Sequence, residues 1–343
     1  MNVFFIGRLC NIGGCESFLY YLSKIYKNFV VYYELTADPL QVQRLSQNVE
    51  VRKWNKEIIK CKRLFCNYAQ NMMDYCEAEE KIHIVHCDYN AVNFKPIIHP
   101  NATKYFGVSQ RACDSFYEHT GIKCELVYNI VPIEKKGLKK KEGLNLISCT
   151  RLTSEKGGWR IDKLSELLDK HKVKYTWTIY TNKNVHFKSK NVIVKQQDLN
   201  LNDEIEKSSW LVQLSDGEAY GLSVVEALKL GTPVIITDLE VFKELGIEHG
   251  KNACVIDMDV KNIDYELIKN PPLVDYEEPK STWDKYLSKK GTYNPNDPVE
   301  VRVIKRKLND VYEGKSYLKG QTYKTPKHRA SYLEALGYIE RVD

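Results

Sequence analysis

Apolar residues fall in short blocks along this chain, and the spacing within successive blocks alternates between two periods. Residues 3–6 and 29–35 are β-rich runs, residues 16–27 between them repeat their apolar positions at helical spacing, and residues 82–86 form another strand-like run. The same rhythm restarts at residues 144–149. It predicts a helix over about 159–168, a strand at 175–180, a strand at 210–214, a helix at 222–230, a strand at 233–237 and a helix beginning near Leu239. Strand, helix, strand in repetition predicts parallel sheets covered by helices, so the expected class is α/β with two doubly wound domains. Between them lies residues 134–142, where five lysines crowd into a stretch with almost no apolar side chain, the mark of a solvated linker. After Asn294 the texture changes to a strand-like run at 299–304, turns at Gly314 and Gly320, a short helix over about 326–336 and a final run at 338–342.

The expected division is therefore an N-terminal Rossmann-like domain over 1–134 and a second over 143–275. A crossover helix and linker follow over 276–293, the helix itself near 281–288 and packed back on the first domain, and then a small β-rich accessory module over 294–343. A length of 343 residues, more than twice the ~150 typical of one domain, accommodates two cores. With 43% hydrophobic and 28% charged residues the composition excludes disorder, collagen and coiled coil as the main state. The N-terminal apolar run is too short for a membrane span or a signal-peptide core, so a soluble, cytoplasmic protein is expected. The 10 cysteines include no C-x-x-C pair and read as reduced small hydrophobes. Cys61, Cys66, Cys76, His83, His86 and Cys87 come nearest to a metal cluster, but their spacing is irregular. A net charge of +6 suits an anionic small ligand and is too small to argue for nucleic acid. Half of it sits in residues 294–343, which hold 10 basic and 7 acidic residues, and that module is expected to find an acceptor or partner.

The densest chemistry runs from Ser215 to Pro233. A strand ends near Leu214, a glycine-containing loop follows, and a helix starts near Leu222, so the free amides around Tyr220, Gly221 and Leu222 and the positive helix end suit a phosphate. Glu218 in the loop and Glu226 one turn into the helix can accept hydrogen bonds from sugar hydroxyls, or serve only as a favourable charge near a helix start and a solvated helix residue. Arg151 and Lys156 leave another strand end, where a guanidinium and an ammonium can neutralise a diphosphate leaving group. Gly13 and Gly14 lie in a strand, turn, helix start that is not the G-x-G-x-x-G fingerprint, which disfavours a nicotinamide enzyme. His86 and Asp88 follow the strand at 82–85, at a strand end where reactive groups are expected. Asp257-Met-Asp259 has the D-x-D form of a metal motif that is common by chance.

These residues resemble a known pattern. Glu218 and Glu226 reproduce the E-x7-E motif of retaining glycosyltransferases of the GT-B fold, in which two Rossmann-like domains face a cleft. Glu226-Ala227, Gly231-Thr-Pro-Val234, Asp238 and Glu244 resemble the family-4 form. Gly13-Gly14-Cys-Glu16 is similar to the family's G-G-x-E loop, Arg151 to Gly157 to its R-(x)4-K-G step, and His86 with Asp88 to its H-x-D step. Ala219, Tyr220 and Thr150 depart from the usual residues. The tail, through residues 324–330 and 333–339, is similar to small modules on bacteriophage proteins, which implies a phage-encoded enzyme acting in the host cytoplasm.

The resemblance implies a retaining, hexosyltransferase-like enzyme that needs no metal and no cofactor and takes a nucleotide diphosphate sugar, a UDP-sugar for preference, as donor. It further implies that Glu226 holds the ribose hydroxyls, Glu218 the donor sugar, and Arg151 with Lys156 the diphosphate. Gly14 would allow close approach of phosphate or acceptor, and His86 would border the transferred sugar. The implied acceptor is a virion protein or a surface glycan. A nucleotide-sugar epimerase on the same scaffold, or a non-catalytic sugar-binding or assembly module, is the alternative.

Overall fold

The computed structural model describes residues 1–10, 13–311 and 314–342. Asn11 and Ile12, within the first glycine-containing turn, and Tyr312 and Glu313 in the tail lie outside the described residues. The chain forms two compact units, one of Met1–Val85, Ile97–Phe106 and Ser281–Asp343, the other of His86–Pro96 and Gly107–Lys280.

The N-terminal half contributes β1 (Asn2–Leu9), α1 (Gly14–Ile25), β2 (Phe29–Ala37), α2 (Pro39–Ser46), β3 (Glu50–Lys53), β4 (Ile59–Asn67), β5 (Cys76–Val85), β6 (Lys104–Gly107), α3 (Gln110–Thr120) and β7 (Glu125–Leu126). Their sheet runs β3-β2-β1-β4-β5-β6-β7, and the pairs of β1 with β2 and β4 are parallel. β1 is central and buried on both faces, which is why its sequence reads as a continuous apolar run and not as an alternation. Phe4 stacks on Phe65 with ring centroids 4.5 Å apart. Trp283, fully buried, meets Phe4, Phe18, Phe65 and Phe106 at 5.6 to 6.0 Å. The segment around Ser281 thus packs within the first unit, and in place of a helix over 281–288 it forms one 3-10 turn at Trp283–Lys285. The indole burial fixes the segment without the backbone ladder that a helix would supply.

The second sheet is built from β8 (Leu144–Cys149), α4 (Gly158–Lys170), β9 (Tyr175–Thr181), β10 (Val192–Gln196), α5 (Asn202–Lys207), β11 (Trp210–Gln213), α6 (Leu222–Lys229), β12 (Val234–Thr237), α7 (Glu240–Glu244), β13 (Ala253–Ile256) and α8 (Tyr265–Lys269). Its order is β10-β9-β8-β11-β12-β13, with every pair parallel. Chain order reverses between β8 and β11, so the loops after these two strands part at a topological switch point, the place where open α/β sheets bind ligands. Ser148 ties the centre together: its hydroxyl donates to the Val212 carbonyl at 2.7 Å and accepts from the Trp177 indole at 3.0 Å.

The stretch at 134–142 is not a free solvated tether. Glu206 of α5 accepts from the amides of Lys136 and Leu138 at 3.0 and 2.8 Å, and Lys136 and Lys141 pair with Asp203 and Glu204. The lysine run is complementary to the acidic face of α5, and the two neutralise each other.

The tail forms β14 (Pro298–Val303), β15 (Lys307–Asp310), β16 (Lys315–Leu318), β17 (Thr322–Pro326), α9 (Lys327–Ala335) and β18 (Ile339–Arg341). Strands β17-β14-β18 make an antiparallel sheet and β15-β16 a hairpin, around a core that includes Val301, Val303, Leu308, Leu333 and Ile339. Within the first unit, Ser331 donates to the Val51 carbonyl at 2.7 Å, Arg341 pairs with Glu50 at 3.1 Å, and Glu334 accepts from the Lys53 amide at 3.2 Å. Among the described residues no helix is long and apolar enough to cross a membrane.

Candidate functional site

The loop after β8 turns sharply, with Leu152 at φ +50° and Gly157 at φ +64°, before α4 begins. Gly157 is dictated twice: besides the left-handed backbone, a Cβ there would lie 1.9 Å from the Leu214 carbonyl oxygen. This contact presses the loop after β8 against the end of β11. The amide of Asp216 donates to the Glu155 carbonyl at 2.8 Å and joins the two loops. Arg160, almost fully buried on α4, braces the same junction. Its guanidinium donates to the carbonyls of Leu214 and Met258 at 3.2 and 2.8 Å and pairs with Asp216 at 2.6 Å.

This junction delivers Lys156 to Glu218. The ammonium lies 2.6 Å from Oε1 of Glu218, and both side chains are largely shielded from solvent. The same oxygen accepts from the Ser215 hydroxyl at 2.7 Å and from the Gln213 side-chain amide. Arg151 projects exposed from the loop. Burial alone would raise the pKa of Glu155, but the Thr153 hydroxyl and the charges of Lys156 and Arg151 hold it below the usual carboxylate value.

Past Glu218 the chain passes Tyr220, buried with its hydroxyl donating to the Asn129 carbonyl at 3.2 Å, and reaches Gly221, the N-cap of α6 at φ +77°. A side chain on Gly221 would meet the Phe242 ring at 2.7 Å. Gly221 offers no side-chain cap, and although its carbonyl takes the amide of Val224 at 2.9 Å, the amides of Leu222 and Ser223 at the helix start are placed to meet an anion. Glu226, half-buried on α6, lies close enough to the end of β8 that its charge, after burial, helps push the Cys149 thiol pKa up. The structure thus brings Arg151, Lys156, Glu218, Tyr220, Gly221, Leu222 and Glu226 to the carboxyl ends of β8 and β11.

The segment after β5 joins the same unit. Ala91 packs so closely on Gly217 that a Cβ on the glycine would lie 2.1 Å from that of Ala91. The half-buried His86 and the buried Cys87 precede Asp88, and the charges of Lys156 and Glu155 reach the Cys87 thiol, whose pKa burial first and Asp88 next push up. Both oxygens of Asp88 are engaged: Oδ1 accepts from the Asn90 amide at 3.1 Å and Oδ2 from Arg111 Nε at 2.9 Å. Glu244 caps α3, accepting from the amides of Gln110 and Arg111 at 2.6 and 3.0 Å. Asp257 of the D-x-D accepts from the amides of Asp259, Lys261 and Asn262, which makes it the organiser of a turn. Among the described residues no group of three or more His, Cys, Asp or Glu is arranged to hold a metal.

In the first unit, Gly13 is the N-cap of α1 at the carboxyl end of β1, and a Cβ on it would meet the Glu16 carboxylate at 2.6 Å. A Cβ on Gly14 would meet nothing within 4 Å. Sequence reading missed Arg160, Gln213, Gly217 and Arg111. The only advance signal was Gly217, a glycine in a ligand-facing loop, since the partners of the other three come from distant chain positions.

Residues 132–269 match the family model of Glycosyl transferases group 1. Over 94 residues the chain is 36% identical to the serotype-specific mannosyltransferase WbdA of Escherichia coli; this covers 27% of the chain and about a tenth of the length of that relative (10%). Among solved structures, Anabaena HepE in complex with UDP and glucose is similar with a TM-score of 0.59 at 15% identity, over 78% of this chain and 89% of that one. The lipopolysaccharide outer core galactosyltransferase WaaB, in its apo form, is similar with a TM-score of 0.53 at 15% identity, over 78% and 94%. Two parallel Rossmann-like sheets and the likeness to these structures make this a protein of the GT-B fold, in which residues 132–269 match the model of Glycosyl transferases group 1.

Proposed function

We propose that the chain is a retaining glycosyltransferase of the family-4 type that moves a hexose from a UDP-sugar to a carbohydrate acceptor of a surface polymer. The observation that carries this reading is the convergence of Lys156, Glu218 and the N-terminus of α6, which has no side-chain cap, at the ends of β8 and β11. Cation, carboxylate and helix N-terminus in one place match a diphosphate joined to a polyol. The UDP bound by HepE supports the choice of donor, the name of WbdA as a mannosyltransferase that of a hexose, and the lipopolysaccharide in the name of WaaB that of the acceptor class.

In this reading Arg151, Lys156 and the α6 amides hold the diphosphate, Glu226 the ribose hydroxyls and Glu218 the donor sugar, while His86 borders the sugar. The bond from C1 to the phosphate oxygen breaks, and a bond from C1 to the acceptor oxygen forms on the same face. The acceptor proton passes to the departing phosphate oxygen, so no protein nucleophile is needed. Asp88, held by Arg111, positions the segment that bears His86. Arg151 and Lys156 take the charge-neutralising part that a divalent ion would otherwise play.

Calorimetry with a panel of nucleotide diphosphate sugars in chelator tests donor and metal independence together; binding seen only after manganese or magnesium is added sinks the second. Glu226→Ala is expected to weaken affinity for UDP, each lost charge-assisted bond being worth about 1.5–3 kcal/mol. Glu218→Ala is expected to leave UDP affinity nearly intact and to reduce turnover. Proton NMR of the first-formed product reads the anomeric configuration, and inversion rules out the retaining reading.

A further inference from the structure

Three donors converge on Glu218, and all three use Oε1: Lys156 Nζ, Ser215 Oγ and Gln213 Nε2. Among the described residues Oε2 accepts no hydrogen bond. An ionised carboxylate offers about four lone-pair positions, so crowding the protein's donors onto one oxygen leaves the other for a ligand hydroxyl.

The three donors are not equivalent. Lys156 is the group that a diphosphate competes for, and Ser215 carries a hydroxyl that can rotate to another acceptor. Gln213 is neutral and fixed at both ends. Its Oε1 accepts from the Ser223 hydroxyl in the first turn of α6, and its Nε2 donates to Glu218. The amide has one orientation only, because a carboxylate accepts and cannot donate. Its place as the last residue of β11 gives it a rigid base.

We propose that Gln213 is a positioning residue that locks the Glu218 carboxylate through Oε1, so that Oε2 faces the donor sugar even after the diphosphate has drawn Lys156 away. The proposal rests on the assignment of Glu218 to the sugar. It also ties sugar binding to the start of α6, since Ser223 of that turn holds Gln213.

The test uses the full chain with Gln213→Leu and Gln213→Glu. In Gln213→Leu, UDP affinity is expected to stay within about twofold while kcat for donor cleavage falls about tenfold to a hundredfold, the cost of a misplaced contact at the reacting sugar. Gln213→Glu keeps an acceptor for Ser223 and places a second carboxyl beside Glu218. At neutral pH the two repel; as pH falls one proton is shared between them and the donor contact returns. Its activity profile is therefore expected to shift to acid relative to the wild type. Profiles that coincide in shape, or a UDP affinity in Gln213→Leu that falls as far as turnover does, overturn the proposal.

A readout in ligand-free protein separates this from the donor reading. Crystal structures of ligand-free wild type and Gln213→Leu are expected to show the Glu218 carboxylate turned away from its wild-type place once the amide donor is gone. A carboxylate that stays in place overturns the positioning role whatever the donor is. If the wild type binds no nucleotide sugar and the carboxylate still moves in Gln213→Leu, the donor assignment alone is overturned.

Discussion

At the scale of single residues, the site depends on positions that carry no chemistry of their own. Gly157 combines a left-handed backbone with a 1.9 Å approach of its missing Cβ to the Leu214 carbonyl. Gly157→Ala is expected to destabilise the protein by about 1–3 kcal/mol from the backbone alone, with the clash added. Urea unfolding checks this, and an unchanged midpoint contradicts the packing of the two loops. Asp88 shows how the role of a residue depends on its partners. As a proton-transfer group it would tolerate loss of Arg111, whereas as an anchor it would not. Asp88→Asn and Arg111→Gln are expected each to cost about 1–3 kcal/mol, and the double variant less than their sum. Additive costs in that cycle leave the anchor without support.

At the scale of elements, the strap over residues 134–142 and the segment around Trp283 are both held by buried anchors. Lys140 donates to the Ser208 carbonyl and the Thr232 hydroxyl at 2.8 and 2.9 Å, and burial lowers its pKa to about 8. The unfolded chain, with the ordinary lysine value near 10.5, binds more protons than the folded one between those two pH values. Stability contributed by Lys140 therefore rises as pH climbs from about 8 towards 10.5. The unfolding free energy of the wild type relative to Lys140→Met is expected to grow over that window; a constant difference refutes the buried ammonium. Trp283→Ala removes an indole from among four phenylalanines and is expected to cost about 3–5 kcal/mol. Thermal unfolding that barely moves would mean that the 3-10 turn is held by other contacts.

At the scale of the molecule, the tail has its own core and also completes the polar pairing of β3. Glu50, Val51 and Lys53 each have a partner on α9 or β18, and burial pushes the pKa of Glu334 up despite the opposing charge of Arg341. A chain ended after Tyr293 is expected to unfold at lower denaturant, since those partners vanish together. UDP affinity is expected to survive, because the proposed donor groups lie between Arg151 and Glu226. Calorimetry on the truncated chain reads both, and loss of UDP binding with an intact fold would place part of the donor site in the tail.

The sequence by itself determined the α/β class and, in the second sheet, the places of β8, β11 and β12, whereas β4 in the middle of the first sheet went unread. Residues 144–149 are read and found as β8, because a strand buried on both faces leaves a continuous apolar run. The start of α6 at Leu222 was equally legible, since a glycine N-cap and an apolar stripe are local signals. The short strands β3, β6 and β7 were not, as strands of two to four residues carry no period to read. Only tertiary structure decided which site residues meet. Lys156 and Glu218 are 62 positions apart and touch because the sheet order reverses between β8 and β11, a property of strand pairing that no local pattern encodes. It likewise turned the lysine run from a solvated tether into a strap, because the charges that neutralise it come from α5, some seventy residues further along the chain.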